Sequence, residues 1–452
     1  MKKVLRRLFP ALCLAALPVA ASADTTVDST TLLRFYQDSR TGLQSKTFVP
    51  ATQFLAVDAD KLADGNLSLH LYGWGRLDLG ERTVTPGQGD SSLDGRLSYG
   101  FLKYRFGAAN AQARAGRFSI QEGIISEQID GVSVRTDLPY GFGVSAFGGA
   151  NVHTTDIEGE KTDGKGDGIF GGRVNYRYGG LVEVGLSGVY ESKAPTLTQH
   201  NLGARFGDHR LVGTDFYLAP HRMVQLSGRA SYNTETEGFA EQGYLLQVRP
   251  LKELTLAGEY NQYNDRDMFY GSALFAGMPS MLNGNNLNEL SRSLGGSASY
   301  QLDAKTEITL DAKHYSRDLG KADRVGGLVR YTLPEAALRA GLGYHYLRSS
   351  SDFAVIPSST ASGSFHELRA YAMRDTKSYF CSLDMIDYVF KKDIAGKSQA
   401  FELAGSLGYH LSPNLAFSGD LSYGSNPLYD DEVKGLLRLT YTAKFTGKGD
   451  QK

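Results

Sequence analysis

From Leu67 to Leu79 the chain reads LSLHLYGWGRLDL. Leu67, Leu69, Leu71, Leu77 and Leu79 share the odd positions with Gly73 and Gly75. Ser68, His70, Tyr72, Trp74, Arg76 and Asp78 take the even ones. A period of two is that of a β-strand with two unlike faces. Ordinary strands run to about five or six residues, whereas a tilted strand crossing a bilayer takes about 9–11. The same alternation recurs to the end of the chain. Phe142, Val144, Ala146, Gly148, Ala150 and Val152 share one face. Phe170, Gly172, Val174, Tyr176 and Tyr178 share the next, with Arg173, Asn175 and Arg177 opposite. Later examples are 182–190, 224–232, 325–333, 338–346, 401–411 and 415–423.

The connections alternate as well. GAAN at 107, DLPYG at 137, GG at 179, APH at 219, DAK at 303 and SPN at 412 are tight. Between them fall 80–92, 154–167, 192–208, 264–290, 349–364 and 425–433, with shorter connections near 120, 236, 318 and 392. A soluble β-sandwich has no reason to keep turns at one end and loops at the other. An outer-membrane barrel does, with short periplasmic turns and long extracellular loops. The expected fold is all-β, a closed transmembrane antiparallel barrel of about twenty strands (eighteen to twenty-two), spanning 67–446. Residues 24–66 precede it as a periplasmic or lumen-inserted segment, in which TTLLRFY and QFLAVD leave an extra strand pair open. Residues 447–452 form a short tail.

The first residues set the compartment. Lys2, Lys3, Arg6 and Arg7 precede an apolar run, and Ala21-Ser22-Ala23 is a small-x-small site. This is a secretory signal peptide over 1–23, cleaved after Ala23; an exported chain with the barrel pattern is expected in a Gram-negative outer membrane. Cleavage removes four of the 48 basic residues and none of the 49 acidic ones, leaving a mildly acidic chain unsuited to nucleic acid. Cys381 is then the single cysteine, so no internal disulfide forms. No apolar run of about 18 residues follows the signal. With 53 glycines, 26 tyrosines and 22 phenylalanines against 13 prolines, the composition is that of a β-protein.

Catalytic signatures are missing. HExxH, GxSxG and a Walker loop are absent, as is the CxxCH of covalent haem, so neither an enzyme nor a cofactor is expected. TDGKGDG at 162 offers Asp163 and Asp167 to calcium but lacks the ligand count of an EF-hand and reads first as a solvated loop, and the nine histidines, among them His70, His345 and His410 on the polar faces, match no metal set. Charge is more informative. Trp74, Arg76, Arg173, Arg177, Arg229, Arg330 and Arg438 fall opposite apolar stripes and are expected in the lumen, along with Arg96, Arg114, Arg339 and Arg369. Inward arginines favour anions unless Glu183, Asp215, Glu259, Asp311 and Asp420 cancel them across neighbouring strands. In the last strand Leu437, Leu439, Tyr441 and Phe445 alternate outward, as a lipid face and an assembly signal. Lipid and the barrel assembly machinery are the partners this implies.

The stretch TTLLRFYQDSRTGLQSKTFVPATQFLAVDADKLADGNLSLHLYGWGRLDL resembles porin-like channel proteins of Geobacter-type metal-reducing bacteria. DGVSVRTDLPYGFGVSAFGGANVHT and FHELRAYAMRDTKSYF share that texture. The resemblance implies a passive outer-membrane channel for small solutes or ions. Its alternative is a barrel that sheathes a multihaem c-type cytochrome for electron transfer, the haem belonging to the partner. It transfers no active-site residues.

Overall fold

The computed structural model describes residues 24–38, 46–62, 65–80, 92–152, 168–192, 209–235, 237–264, 290–317, 320–350, 364–394, 396–427 and 429–445. The expected signal peptide, the TDGKGDG loop and the C-terminal tail lie outside these residues. The first strands are β1 (Asp24–Asp38), β2 (Lys46–Phe48), β3 (Pro50–Leu62), β4 (Leu67–Asp78), β5 (Leu93–Phe106), β6 (Ala111–Glu122), β7 (Ile125–Asp137), β8 (Phe142–Asn151), β9 (Gly168–Tyr178), β10 (Val182–Glu191) and β11 (His209–His221). There follow β12 (Val224–Asn233), β13 (Gly238–Val248), β14 (Leu254–Asn264), β15 (Leu290–Gln301), β16 (Thr306–Arg317), β17 (Gly320–Leu333) and β18 (Leu338–Ser349). The last are β19 (Phe365–Asp375), β20 (Tyr379–Ile394), β21 (Lys397–Ser412), β22 (Leu415–Asn426) and β23 (Tyr429–Phe445). Chain neighbours pair antiparallel throughout, and β23 returns to pair with β1, closing the sheet.

β2 and β3 both pair with β1 and are interrupted only at Val49, so together they make one wall strand. The described barrel therefore has 22 strands rather than about twenty. The added pair comes from 24–62, the extra strand pair that the sequence leaves open beside a periplasmic or lumen-inserted segment, so the barrel begins well before Leu67. Its pattern is hard to read for a physical reason. The outward positions of β1 and β3 carry Ser29, Thr31 and Gln53 among Val27, Leu33 and Leu55. These polar groups satisfy one another, Thr31 Oγ1 donating to Gln53 Oε1 (2.6 Å) and Gln53 Nε2 to Ser29 Oγ (2.9 Å).

Directly opposed residues share a face, so register assigns every side chain to one of two surfaces. One surface is apolar and open: Leu186, Leu407 and Leu421 are 61–66 % exposed on it. Phe170, Val174 and Tyr178 are exposed there too, as are Leu437, Leu439, Tyr441 and Phe445 of the last strand. A belt of this kind suits hydrocarbon, where only a closed sheet satisfies the backbone. Ion pairs line the other surface. Extra residues at Ser98 and Ala240 shift the register and switch the parity of β5 and β13.

Candidate functional site: a hairpin folded into the lumen

The sequence pattern predicts a short surface connection near residue 120. The structure has instead a hairpin that leaves the wall. The β5–β6 ladder stops at Gly100–Arg117, and the β7–β8 ladder stops at Ile129–Asn151. Beyond those points β6 and β7 pair with each other, from Ser119–Gln128 to Glu122–Ile125, the Gln128 carbonyl still accepting from the Val152 N–H of the wall (2.7 Å). Glycine permits the bend. Gly116 has φ +126°, and a Cβ there would stand 2.9 Å from the Phe101 Cα.

The tip comes to rest on the inner face of β9–β11. At Gly123 (φ +63°) a Cβ would lie 2.6 Å from Asp215 Oδ1 and 3.1 Å from Arg173 Cδ. Ile124 reaches Gly213 of β11, where a Cβ would stand 2.9 Å from its Cγ2. What holds the hairpin down is apolar burial. Phe118, Ile120, Ile124, Ile125 and Ile129 pack with Phe147, Ile169 and Val189 into a small core inside the barrel. Burying one such side chain is worth about 1.5–3 kcal/mol. Polar contacts finish the seating: from the wall, Ser145 Oγ donates to Glu122 and Asn151 Nδ2 to Glu127 Oε2 (3.5 Å) on the hairpin. Between hairpin and wall remains a cavity of about 380 Å³ whose polar lining includes Arg114, Gln121, Glu122, Ser133, Arg135 and Ser145.

Beside the tip runs a charged ladder. Arg173 is 8 % exposed; its Nε donates to Asp215 Oδ1 (3.0 Å) and its Nη2 to Glu183 Oε1 (3.2 Å). Arg177 Nε donates to Glu183 Oε2 (3.1 Å), and Arg229 Nε to Glu241 Oε1 (2.9 Å). The remaining expected lumen arginines lie on the same face. Arg76 stands 3.5 Å from Asp78, Arg330 3.3 Å from Glu307, Arg369 3.5 Å from Asp384 and Arg438 3.8 Å from Asp420. Trp74 shares this face, between Phe54 on β3 and Arg96 on β5. His345 also lies here, its Nε2 2.8 Å from Asp311 Oδ2 and its neighbour Arg324 3.1 Å from the same carboxylate. The expected arginines are therefore spread around the wall, seven of them against carboxylates, with Glu183 shared by Arg173 and Arg177, so they form no single cluster.

Sequence reasoning found the arginines and missed the hairpin. Its signal was present: Phe118, Ile120, Ile124, Ile125 and Ile129 place apolar groups on a face that elsewhere is polar. Among the described residues no cluster of three or more His, Cys, Asp or Glu side chains is arranged to hold a metal ion.

No protein-family model matches the sequence. No curated protein matches it either. Among solved structures, a point mutant of the ferric enterobactin receptor of Pseudomonas aeruginosa superposes with TM-score 0.56 at 12 % identity, over 94 % of this chain and 81 % of that one. A second mutant of that receptor, in complex with enterobactin, gives 0.55 at 12 %, over 94 % and 82 %. OpdO of the same organism gives 0.43 at 12 %, over 94 % and 97 %. At such identity the receptor likeness establishes the fold alone, a large closed barrel.

Proposed function

We propose that this chain is a porin-like outer-membrane channel for passive passage of small solutes or ions, narrowed on one side by the β6–β7 hairpin. The observation that carries this reading is a closed wall, apolar outside and charge-laddered inside, with a hairpin docked on its inner surface. Inward charge with outward oil is the arrangement of a water-filled pore in lipid. The arginines support an anion preference, and their matched carboxylates limit its size. No feature of the described residues favours the cytochrome sheath, and the hairpin occupies part of the space a sheathed partner would need.

The test is conductance in a planar bilayer, under a salt gradient, of the parent and of a variant in which residues 119–128 are replaced by Asn-Gly, a two-residue hairpin turn. The parent opens with preference for chloride over potassium, and the variant conducts more per channel. Equal steps reject the constriction, and cation selectivity rejects the anion preference. A folded barrel without conductance rejects the channel. Haem eluting with such a barrel from native membranes would support the sheath.

A further inference from the structure

The lumen wall of β1, β3, β4 and β5 differs from the arginine ladder. Three neighbouring cross-strand rows run Thr26–Asp58–His70–Phe101, Asp28–Ala56–Tyr72–Tyr99 and Thr30–Phe54–Trp74–Arg96. All twelve side chains share the inner face. The aromatics are contiguous. Phe54 and Tyr72 have ring centroids 6.3 Å apart, Tyr72 and Tyr99 5.4 Å, and Tyr99 and Phe101 6.0 Å. His70 stacks on Phe101 at 4.8 Å, and Phe101 meets the hairpin at Phe118, 5.9 Å away. None of the five wall aromatics is fully buried.

The carboxylates here differ from those of the arginine ladder. Among the described residues, neither Asp28 nor Asp58 has a lysine or arginine within ion-pair distance. Asp28 Oδ1 accepts from the Thr442 hydroxyl (2.6 Å), and Asp58 Oδ1 is held by His70 Nδ1 (2.6 Å). His70 Nε2 is buried with no hydrogen-bond partner. The Asp58 side chain stays 36 % exposed to the lumen. Ala56 stands between Asp28 and Tyr72 in the middle row and leaves space over the wall.

We propose that this wall is a binding site for organic cations, above all those carrying an ammonium beside an aromatic ring. Two independent attractions converge on such a molecule. The π-faces of Phe54, Tyr72, Trp74 and Tyr99 attract a cation, and Asp28 and Asp58 supply carboxylates that no lysine or arginine of the described residues contacts. A neutral ring gains only the stacking, and an anion is repelled. The inference deepens the channel reading and rests on it for the access of solutes to the lumen.

Trp74 is the only tryptophan of the chain, so the site carries its own reporter. Refolded full-length barrel is titrated with benzyltrimethylammonium, benzyl alcohol and benzenesulfonate, with Trp74 fluorescence as the readout. The cation gives a saturable change. Benzyl alcohol binds roughly tenfold more weakly, and benzenesulfonate gives none. Asp58→Asn and Asp28→Asn, which keep size and hydrogen-bonding capacity, each weaken the cation severalfold; Tyr72→Leu does the same by removing a π-face. Absence of saturation with the cation overturns the proposal, as does an equal response to the sulfonate or undiminished affinity in both Asn variants. Conductance of the same preparation is measured separately. A barrel that conducts without binding removes the site and leaves the channel, and one that binds without conducting removes the channel and leaves the site.

Discussion

Arg117 and Asp130 face each other across β6 and β7 in a two-bonded ion pair, both bonds 2.7 Å, on the outer surface of the barrel. One residue further along, Phe118 and Ile129 oppose each other on the inner surface, 1 % and 0 % exposed. These two pairs mark the line at which the hairpin departs from the wall. When β6 leaves β5, the Leu97 carbonyl loses its strand partner, and Arg117 Nη1 donates to it at 3.1 Å. An outward guanidinium costs roughly 2–4 kcal/mol in hydrocarbon, and here it is satisfied from two directions.

Phe118→Ala empties the centre of the internal core. The expected loss of docking energy is about 3–5 kcal/mol, against a barrel whose wall ladders are untouched. The hairpin then spends time undocked, and single-channel records show added, noisier open levels. A quiet trace at the parental conductance would mean that the core does not set the bore.

Arg173→Ala bares Asp215 beside the hairpin tip and leaves Glu183 to Arg177 alone. Breaking one partner of a buried pair costs roughly 3–5 kcal/mol, and the wet lumen puts this case at or below the lower figure. The barrel therefore folds, and its reversal potential under a salt gradient moves toward cations. A shift toward chloride would contradict the ladder as a selectivity element.

Phe445→Asp puts a carboxylate on the outward face of the closing strand, where Phe445 is 46 % exposed opposite Thr25. Near an interface the energetic cost is about 0–1 kcal/mol, so the finished barrel tolerates it. Assembly suffers through loss of the terminal aromatic. Heat-modifiable barrel counted in outer-membrane fractions should fall, while refolding in detergent proceeds as in the parent.

At the short-turn end, Asp303 accepts from the Lys305 N–H (2.7 Å), the Thr306 N–H (2.8 Å) and the Thr306 hydroxyl (3.2 Å). The Lys305 N–H bond, ahead of the Thr306 bonds, holds its carboxyl below the usual range. The Lys305 ammonium does the same for Glu335 across the adjacent turn. For carboxyls lowered in the folded state, the stabilisation is present above their unfolded value and is lost as pH falls through the folded one. Urea midpoints of the parent and Asp303→Ala should differ at neutral pH and converge in acid. A gap that widens on acidification would refute the assignment.

The period-two stripe of Leu67–Leu79 carried most of the architecture, because lipid on one side forces a strict choice of residue at each step. It failed at β1 and β3, where Ser29, Thr31 and Gln53 satisfy one another on the outer face and break the stripe. It also failed to locate the hairpin. Alternation survives the bend at Gly116, so the periodicity is the same in the wall and inside the bore. The aromatic wall of the lumen was legible only on β4, at Tyr72 and Trp74. Its other members come from β3 and β5, and the extra residue at Ser98 reverses the parity that would have placed Tyr99 and Phe101 outward.

The pairing of β1 with β23 also governs how such a barrel comes into being. Among the described strands every other pairing joins chain neighbours, which zip with little loop-closure entropy. The exception runs through twelve opposed residues, from Thr25–Phe445 to Tyr36–Lys434, and must bring together segments some four hundred positions apart. Until it forms, two full edges of unpaired N–H and C=O groups face the membrane, each group costing several kcal/mol in hydrocarbon. Closure is thus the slow and cooperative event. An open intermediate has to be shielded at both edges, and a substitution along this one seam acts on the yield of finished barrels more than on their final stability.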